Sequence, residues 1–341
     1  MKLQQLRYLV SVVDNGMNIT AASEALFTSQ PGVSKQIRLL EDELSLQLFV
    51  RKGKSLAGLT DAGRRVVERA RRILGEAENI KALSSELAGE QQGELVIATT
   101  ATQARYVLPD MLATFQRRYA GISLRLHQGT SEQIAEQVLG QQADFAIASG
   151  ESELFDDLVT LPIYRWERII LVDREHPLAD LASPNLAEIT RYPIISYTFS
   201  FTEESSLGQA FQQAGVEPNV VFTAQDPDII KAWVRKGMGI GILACMAYDP
   251  QADHDLVAIP AGKLFPSPTT WIGFRRDRFL ADYMYDFLEM VVPGASREAI
   301  DQAIRGAEGE ENVIPFPRLK SVHKHPTFGT RFRECCGGFN L

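Results

Sequence analysis

Residues 18–40, NITAASEALFTSQPGVSKQIRLL, constrain what this chain can fold into more than any other stretch. Asn18 is a suitable N-cap for a first helix over Thr20 to Phe27, buried through Ala22, Ala25 and Leu26. Thr28 and Ser29 break the helical run. Ser29 then caps a second helix with Pro31 in its first turn, where a missing N–H costs little. On that helix Val33, Ile37 and Leu40 share one face, and Ser34, Lys35 and Arg38 share the other. An apolar back can pack on the partner helix while a short cationic front reaches phosphates and base edges in a DNA major groove. Ser29, Gln30, Ser34, Lys35 and Arg38 are therefore the candidate DNA-reading residues. The alternative is an ordinary amphipathic helical hairpin.

After this pair, Phe49 to Leu56 sets two short apolar pieces around a turn at Gly53. The pattern predicts a β-wing along the DNA backbone, with Arg51, Lys52 and Lys54 on phosphate. A solvated hairpin is the competing reading. Thr60 caps a long helix to about Ala88, in which Val66, Ala70, Ile73, Ala77, Ile80 and Leu87 follow a heptad seam. A lone helix of this length needs a partner, so it is expected to dimerise the chain and pair its heads on paired half-sites. The competing reading, a core helix of one globular domain, suits its charged circumference less well.

Charge distribution supports the same division. The chain of 341 residues has a net charge of −8, which by itself argues against nucleic acid. Residues 1–72, however, hold 12 Lys and Arg against 7 Asp and Glu, and the remainder holds 23 against 36. A basic head on an acidic body suits DNA binding joined to a soluble sensor.

From Leu95 onward the pattern alternates strand and helix. LVIATT, ISLRLHQG, ADFAIAS, LPIYRW, RIILVD, PIISY, VVFTA, IGILA and TTWIGF read as strands. Helices are expected over Gln103–Tyr119 (kinked or restarted at Pro109), 131–142, 206–214, 227–236 and 278–291. These βαβ units predict a largely parallel sheet in two similar α/β halves, with a ligand in the cleft between them. Ligands in such sheets sit at the carboxyl ends of strands. There the sequence places Thr99-Thr100-Ala101-Thr102-Gln103, Ser149 and Thr198-Phe199-Ser200-Phe201-Thr202. Hydroxyls and helix-start amides suit a small anion, although N-caps and ST-turns explain isolated Ser and Thr equally well.

Other function classes find little in the sequence. No apolar run approaches membrane-spanning length, and no signal-peptide pattern opens the chain. Three cysteines make no even disulfide framework, so a reducing cytoplasm is the expected compartment. His127, His176 and His254 lack metal spacing, and no GxSxG, P-loop or helix-opening GxGxxG is present. Cys245 reads as a core residue, and KGMGIGI as a helix C-cap running into a strand. Neither a cofactor nor an enzymatic activity is expected. His323, His325, Cys335 and Cys336 do not match a standard zinc spacing.

The chain resembles the LysR-type transcriptional regulators over residues 1–293, and within them the CysB/Cbl group that controls sulfur assimilation and cysteine biosynthesis. MKLQQLRYLV, TSQPGVSKQIRLLEDEL, TTATQARYVLP, TFSFTEES, VVFTAQDPDIIKAWV and GMGIGILACMA carry the resemblance. It implies a winged helix-turn-helix over residues 1–58, a coiled-coil linker helix over 59–89 and a two-lobed, periplasmic-binding-protein-like effector domain over 90–293. A flexible tail over 294–341 has no counterpart. The resemblance further implies a homotetramer built of homodimers, promoter DNA and RNA polymerase as partners, and a sulfate-like, thiosulfate-like, sulfite-like or acetylserine effector. Carried over by position, Thr100, Thr102, Gln103, Ser149, Trp166 and Thr202 are the effector-binding candidates. Ala101 stands where the group usually has histidine and Ser149 where it usually has threonine, so effector identity is open. Alternatives are a LysR regulator of redox or carbon metabolism, and an oxyanion solute-binding protein.

Overall fold

The computed structural model describes residues 1–53, 55–88, 92–149, 157–181, 183–201 and 205–306. Contacts divide the chain into two units, residues 1–90 and 91–341.

In the first unit three helices, α1 (Leu3–Asp14), α2 (Ile19–Ala25) and α3 (Gln30–Leu44), precede a two-stranded hairpin and α4 (Asp61–Leu87). The Asn18 side chain caps α2, accepting from the N–H groups of Thr20 at 3.0 Å and Ala21 at 3.1 Å. α2 ends earlier than expected. Phe27 N–H bonds to Glu24 O at 3.1 Å and Thr28 N–H to Ser23 O at 2.9 Å, the paired bonds of a Schellman stop. Ala22 is buried as expected, but Ala25 is exposed and Leu26 half-buried, because the stop turns them off the core. Phe27 takes the left-handed conformation this stop needs and is 98% exposed. Leu6, Leu9, Val12, Val33, Ile37, Leu40, Phe49 and Val67 form the head's core. The hairpin strands β1 (Phe49–Lys52) and β2 (Ser55–Leu59) are antiparallel, and the Thr60 hydroxyl caps α4 through Gly63 N–H at 2.9 Å.

The second unit holds two five-stranded sheets. Lobe I has β3 (Gly93–Thr99), β4 (Ile122–Gln128), β5 (Phe145–Ser149), β6 (Val159–Arg165) and β12 (Thr269–Phe274), in the order β4-β3-β5-β12-β6. Lobe II has β7 (Arg168–Asp173), β8 (Ile194–Tyr197), β9 (Val220–Ala224), β10 (Ile240–Ala244) and β11 (Leu256–Pro260), in the order β11-β7-β10-β8-β9. The expectation of largely parallel sheets is corrected. β3 is parallel to β4 and β5, and β8 to β9 and β10, but β12 runs antiparallel to β5 and β6, and β7 to β10 and β11. The chain crosses to lobe II after β6 and returns as β12, so those strands enter without a right-handed βαβ crossover and are free to run the other way.

Helices cover both lobes. α5 (Ala101–Tyr106) and α6 (Leu108–Arg118) replace the single expected helix, α6 restarting with Pro109 in its first turn. α7 (Ser131–Leu139), α9 (Ser206–Gln213) and α10 (Pro227–Arg235) lie as expected, and α8 (Leu186–Ile189) is short. α11 (Asp282–Val291) starts later than Arg278 and returns to lobe I, where Phe287 packs 5.5 Å from both Phe115 and Phe145. Cys245 is buried but lies just past β10, in a 3-10 turn (Cys245–Ala247). Gly237, at φ +69°, stops α10, and a Cβ on Gly239 would sit 2.3 Å from Pro193 O, so this turn demands glycine.

A loose tail from residue 294 is also corrected. Arg297–Arg305 is α12, capped by Ser296, with Ile300 buried and Asp301 accepting from the Tyr285 hydroxyl at 2.5 Å. His323, His325, Cys335 and Cys336 lie outside the described residues.

The Phe115–Phe145–Phe287 cluster sets the lobe I core, so Phe287→Ala should lower stability by about 3–5 kcal/mol, measured by urea unfolding of the full chain.

Candidate DNA interface and effector cleft

The head presents the expected face. Val33, Ile37 and Leu40 are buried, whereas Gln30, Lys35 and Arg38 are exposed and Ser34 is half-buried. Ser29 caps α3, its hydroxyl accepting from Gly32 N–H at 3.3 Å. Lys52 is exposed on the hairpin, and Lys54 lies outside the described residues. Arg51 is engaged elsewhere. Its guanidinium meets the Glu41 carboxylate at 2.8 Å, and the same carboxylate accepts from Leu48 N–H at 2.9 Å and Phe49 N–H at 3.3 Å. Glu41 is only 4% exposed, so this buried, three-donor acceptor fastens the wing to the recognition helix. Nothing in the sequence separates Glu41 from its solvated neighbours Asp42 and Glu43.

α4 has two different faces. Val67 and Ala70 are buried against the head, and Arg71 pairs with Asp14 of α1. Ala70 is thus spent within the unit, although it had been expected on the heptad seam. Ile73, Ile80, Leu83 and Leu87 remain exposed, Ile80 at 62% and Leu87 at 80%. They recur at steps of seven, three and four, an unburied apolar seam.

In the body, the candidate cleft residues meet at the ends of β3, β5 and β6. Thr100 caps α5, its hydroxyl accepting from Gln103 N–H at 3.5 Å, so its own O–H remains a donor. Gln103 is buried and wholly committed inside the lobe. Its amide donates to Ser149 and to Thr270, both at 3.4 Å, and its carbonyl accepts from the Tyr164 hydroxyl. Ser149 is 2.7 Å from the Thr270 hydroxyl and accepts from the Trp166 indole N–H at 3.0 Å. Thr102 reaches across to lobe II, donating to the Tyr197 hydroxyl at 3.3 Å, which also accepts from Ala244 N–H. Burial pushes the Tyr197 phenol up to about 12, so it stays neutral. Thr202 lies outside the described residues. Tyr164, Thr270 and Tyr197 join this site although strand-end logic does not single them out.

Arg168 opens β7 beside this site. It is 5% exposed, donates to Pro266 O at 2.8 Å and Ser206 Oγ at 3.0 Å, and lies 5.4 Å from the centre of the Trp166 ring. Among the described residues no carboxylate pairs with it. Burial pulls its pKa down to about 10, which leaves it charged at neutral pH.

Residues 88–296 match the LysR substrate binding domain, and residues 3–64 match the bacterial regulatory helix-turn-helix protein of the lysR family. The chain belongs to the LysR family of transcriptional regulators. Among its relatives, the HTH-type transcriptional regulator CysB of Haemophilus influenzae is 46% identical over 305 residues, covering 89% of this chain and 94% of the relative. The HTH-type transcriptional regulator SsuR of Burkholderia cenocepacia is 44% identical, covering 90% of this chain and all of the relative. The solved cofactor-binding domain of the Cbl transcriptional regulator superposes with a TM-score of 0.60 at 35% identity, covering 63% of this chain and 95% of that domain. Among the described residues of this LysR-family regulator, no helix is long and apolar enough to cross a membrane, and no cluster of His, Cys, Asp and Glu is placed to hold a metal ion.

The far end of α5 also ties the lobes of this regulator together. Arg105 meets Asp228 of α10 at 2.6 Å, and the Tyr106 hydroxyl donates to the same carboxylate. Lys231 joins Asp228 at 2.9 Å to Asp253 at 3.0 Å, and Arg235 meets Asp253 and Asp255, each at 2.7 Å. Burial by itself would raise the Asp228 carboxyl, but hydrogen bonds from Tyr106 and Lys231 outweigh it and hold it below the usual carboxylate range. Asp253 is lowered likewise, where burial is outweighed by bonds from Asp249 N–H, Arg235 and Lys231. A carboxylate depressed in the folded state adds stability above its unfolded pKa of about 4 and loses it as pH falls through the lower folded value. Lys231→Met should therefore lower the melting temperature at neutral pH and flatten its fall with acid below about pH 4, read by calorimetric melts at stepped pH.

Proposed function

We propose that this LysR-family regulator binds promoter DNA in a sequence-specific way and controls sulfur metabolism genes, gated by a small anionic effector. The supporting observation is the group of hydroxyls, amide and indole, Thr100, Thr102, Gln103, Ser149, Trp166 and Tyr197, which touches both lobes and has no carboxylate among the described residues bonded to it. Likeness to CysB, SsuR and Cbl along nearly the whole chain supports the sulfur assignment. In this reading the Thr100 hydroxyl and the first amides of α5 hold the anion, while Gln103, Ser149 and Trp166, already bonded to one another, hold the group in shape. A doubly charged oxyanion such as sulfate or thiosulfate, sulfite, and acetylserine are the candidate effectors. Ala101, half-buried at the start of α5, favours a second reading in which the effector and regulon differ from those of the CysB group.

Effector binding between lobes changes their closure, and through an oligomer changes DNA geometry and contact with RNA polymerase. The exposed seam Ile73, Ile80, Leu83 and Leu87 supports a homodimer through α4, assembled further into a homotetramer. The protein acts as a cytoplasmic regulator rather than an enzyme.

On DNA, Arg38→Ala should relax sequence choice at one base pair, costing about 1–3 kcal/mol there. Lys52→Ala should weaken all sequences alike and lower the salt slope by about one. Gel-shift titrations of the full chain on matched and mismatched promoter sites at several salt concentrations separate the two. Calorimetric titration of the full chain with sulfate, thiosulfate, sulfite and acetylserine tests the cleft. One ligand should bind, and Thr100→Ala should weaken it by about tenfold, the scale of one hydrogen bond to a charged group. Silence with all four would defeat the sulfur reading and leave the DNA-binding assignment standing.

A further inference from the structure

Among the described residues of the effector domain, Arg168 is a buried cation that no carboxylate balances, and it lies against the cleft. The other buried or half-buried cations there are paired: Lys231 with Asp228 and Asp253, Arg278 with Asp144, Arg275 with Asp277. Arg168 has instead one backbone carbonyl, Pro266 O, and one hydroxyl, Ser206 Oγ. Taking a charge out of water is costly unless it is paired, and neither of these neutral partners supplies the missing negative charge. Its position is set by the path of the chain. β6 ends at Arg165, Trp166 turns its indole N–H to Ser149, and Arg168 follows with its guanidinium 5.4 Å from the centre of that ring. Its charge also interacts with Tyr197, whose hydroxyl meets Thr102 across the lobes. The charge thus lies beside Trp166 and within electrostatic reach of Tyr197, two members of the donor group. Close by in sequence, Ser200 in the turn Thr198–Phe201 buries a hydroxyl oxygen with no hydrogen-bond partner.

We propose that Arg168 sets the charge selectivity of the effector cleft, favouring a doubly charged oxyanion over a singly charged ligand of the same shape. This rests on the anion reading given above and deepens it. Arg168 acts through its field and not by contact, because its guanidinium is engaged by Pro266 O and Ser206 Oγ and meets the donor group only through the Trp166 ring. The attraction then scales with ligand charge. Removing Arg168 should weaken a dianion by roughly the square of the factor by which it weakens a monoanion. A purely structural loss would weaken both by the same factor.

Sulfate and perchlorate are tetrahedral oxyanions of similar size that carry two charges and one. Competition calorimetry on the full-length wild type, Arg168→Gln and Arg168→Lys measures both. The wild type should prefer sulfate. Arg168→Gln should lose at least tenfold in sulfate affinity, about 1.4 kcal/mol, and only about threefold in perchlorate affinity. Arg168→Lys, which keeps the charge, should retain most of the preference. Because the Gln variant removes a buried charge that only neutral groups meet among the described residues, its melting temperature should stay near that of the wild type or rise, which separates lost selectivity from lost fold. Sulfate binding by Arg168→Gln within twofold of wild type, or an equal loss of both anions, overturns the role of Arg168 alone. So does a lysine variant as defective as the glutamine one. A wild type that binds neither anion overturns the role of Arg168, while the anion reading itself stands or falls with the four-ligand titration above.

Discussion

Two short crossings join the lobes, and one backbone hydrogen bond ties them together. The Trp166 N–H donates to Pro268 O at 3.2 Å, just where the first crossing leaves lobe I and the second returns to it. Arg168 repeats the tie two residues on, through Pro266 O. The Trp166 indole N–H reaches Ser149 from this same point, so hinge and site share one piece of chain. Trp166 touches Ser149, and Ser149 touches both Thr270, at the start of the returning strand, and Gln103 at the head of α5.

α5 links the cleft to the outer junction between the lobes. Its first turn carries Thr102 and Gln103, and its last carries Arg105 and Tyr106, which hold Asp228 on α10. A shift at one end of a six-residue helix is felt at the other, because a helix this short moves as one body. An effector that changes how Thr102 meets Tyr197 therefore bears on the ion pairs of Lys231 and Asp253 without touching them.

In the head, burial of one charged group makes the reading surface rigid. Glu41 leaves water and is balanced by Arg51 and two backbone N–H groups of the wing, so helix and hairpin share one anchor. Removing one partner of such a cluster leaves an unmet buried charge, which makes the unit cooperative. The long helix divides its apolar residues between this core and an uncovered seam. That seam is how the single chain carries a demand for a partner.

Most elements of this regulator were legible from residue order alone. Local capping, period and turn chemistry place the helix pair, the hairpin, the long helix and nearly every strand, because Asn18, Ser29, Thr60 and Gly237 act on their own neighbours. The strand ends at Thr100 and Ser149 were also visible, since an α/β sheet brings such ends to one edge whatever its detailed pairing. Strand direction was not visible. β12 runs antiparallel because the chain returns from the second lobe, a property of the path and not of TTWIGF. For the same reason α12 is not legible as more than tail, since it packs on β6, well over a hundred residues earlier, as well as on neighbouring α11. The sequence by itself determined a basic reading head, a seam that asks for a partner, and hydroxyls gathered at strand ends. Only the tertiary structure decided which polar groups are already spent on one another and which buried cation has only neutral partners among the described residues. Burial and pairing depend on residues that the chain brings together across a hundred positions or more, as with Gln103 and Thr270.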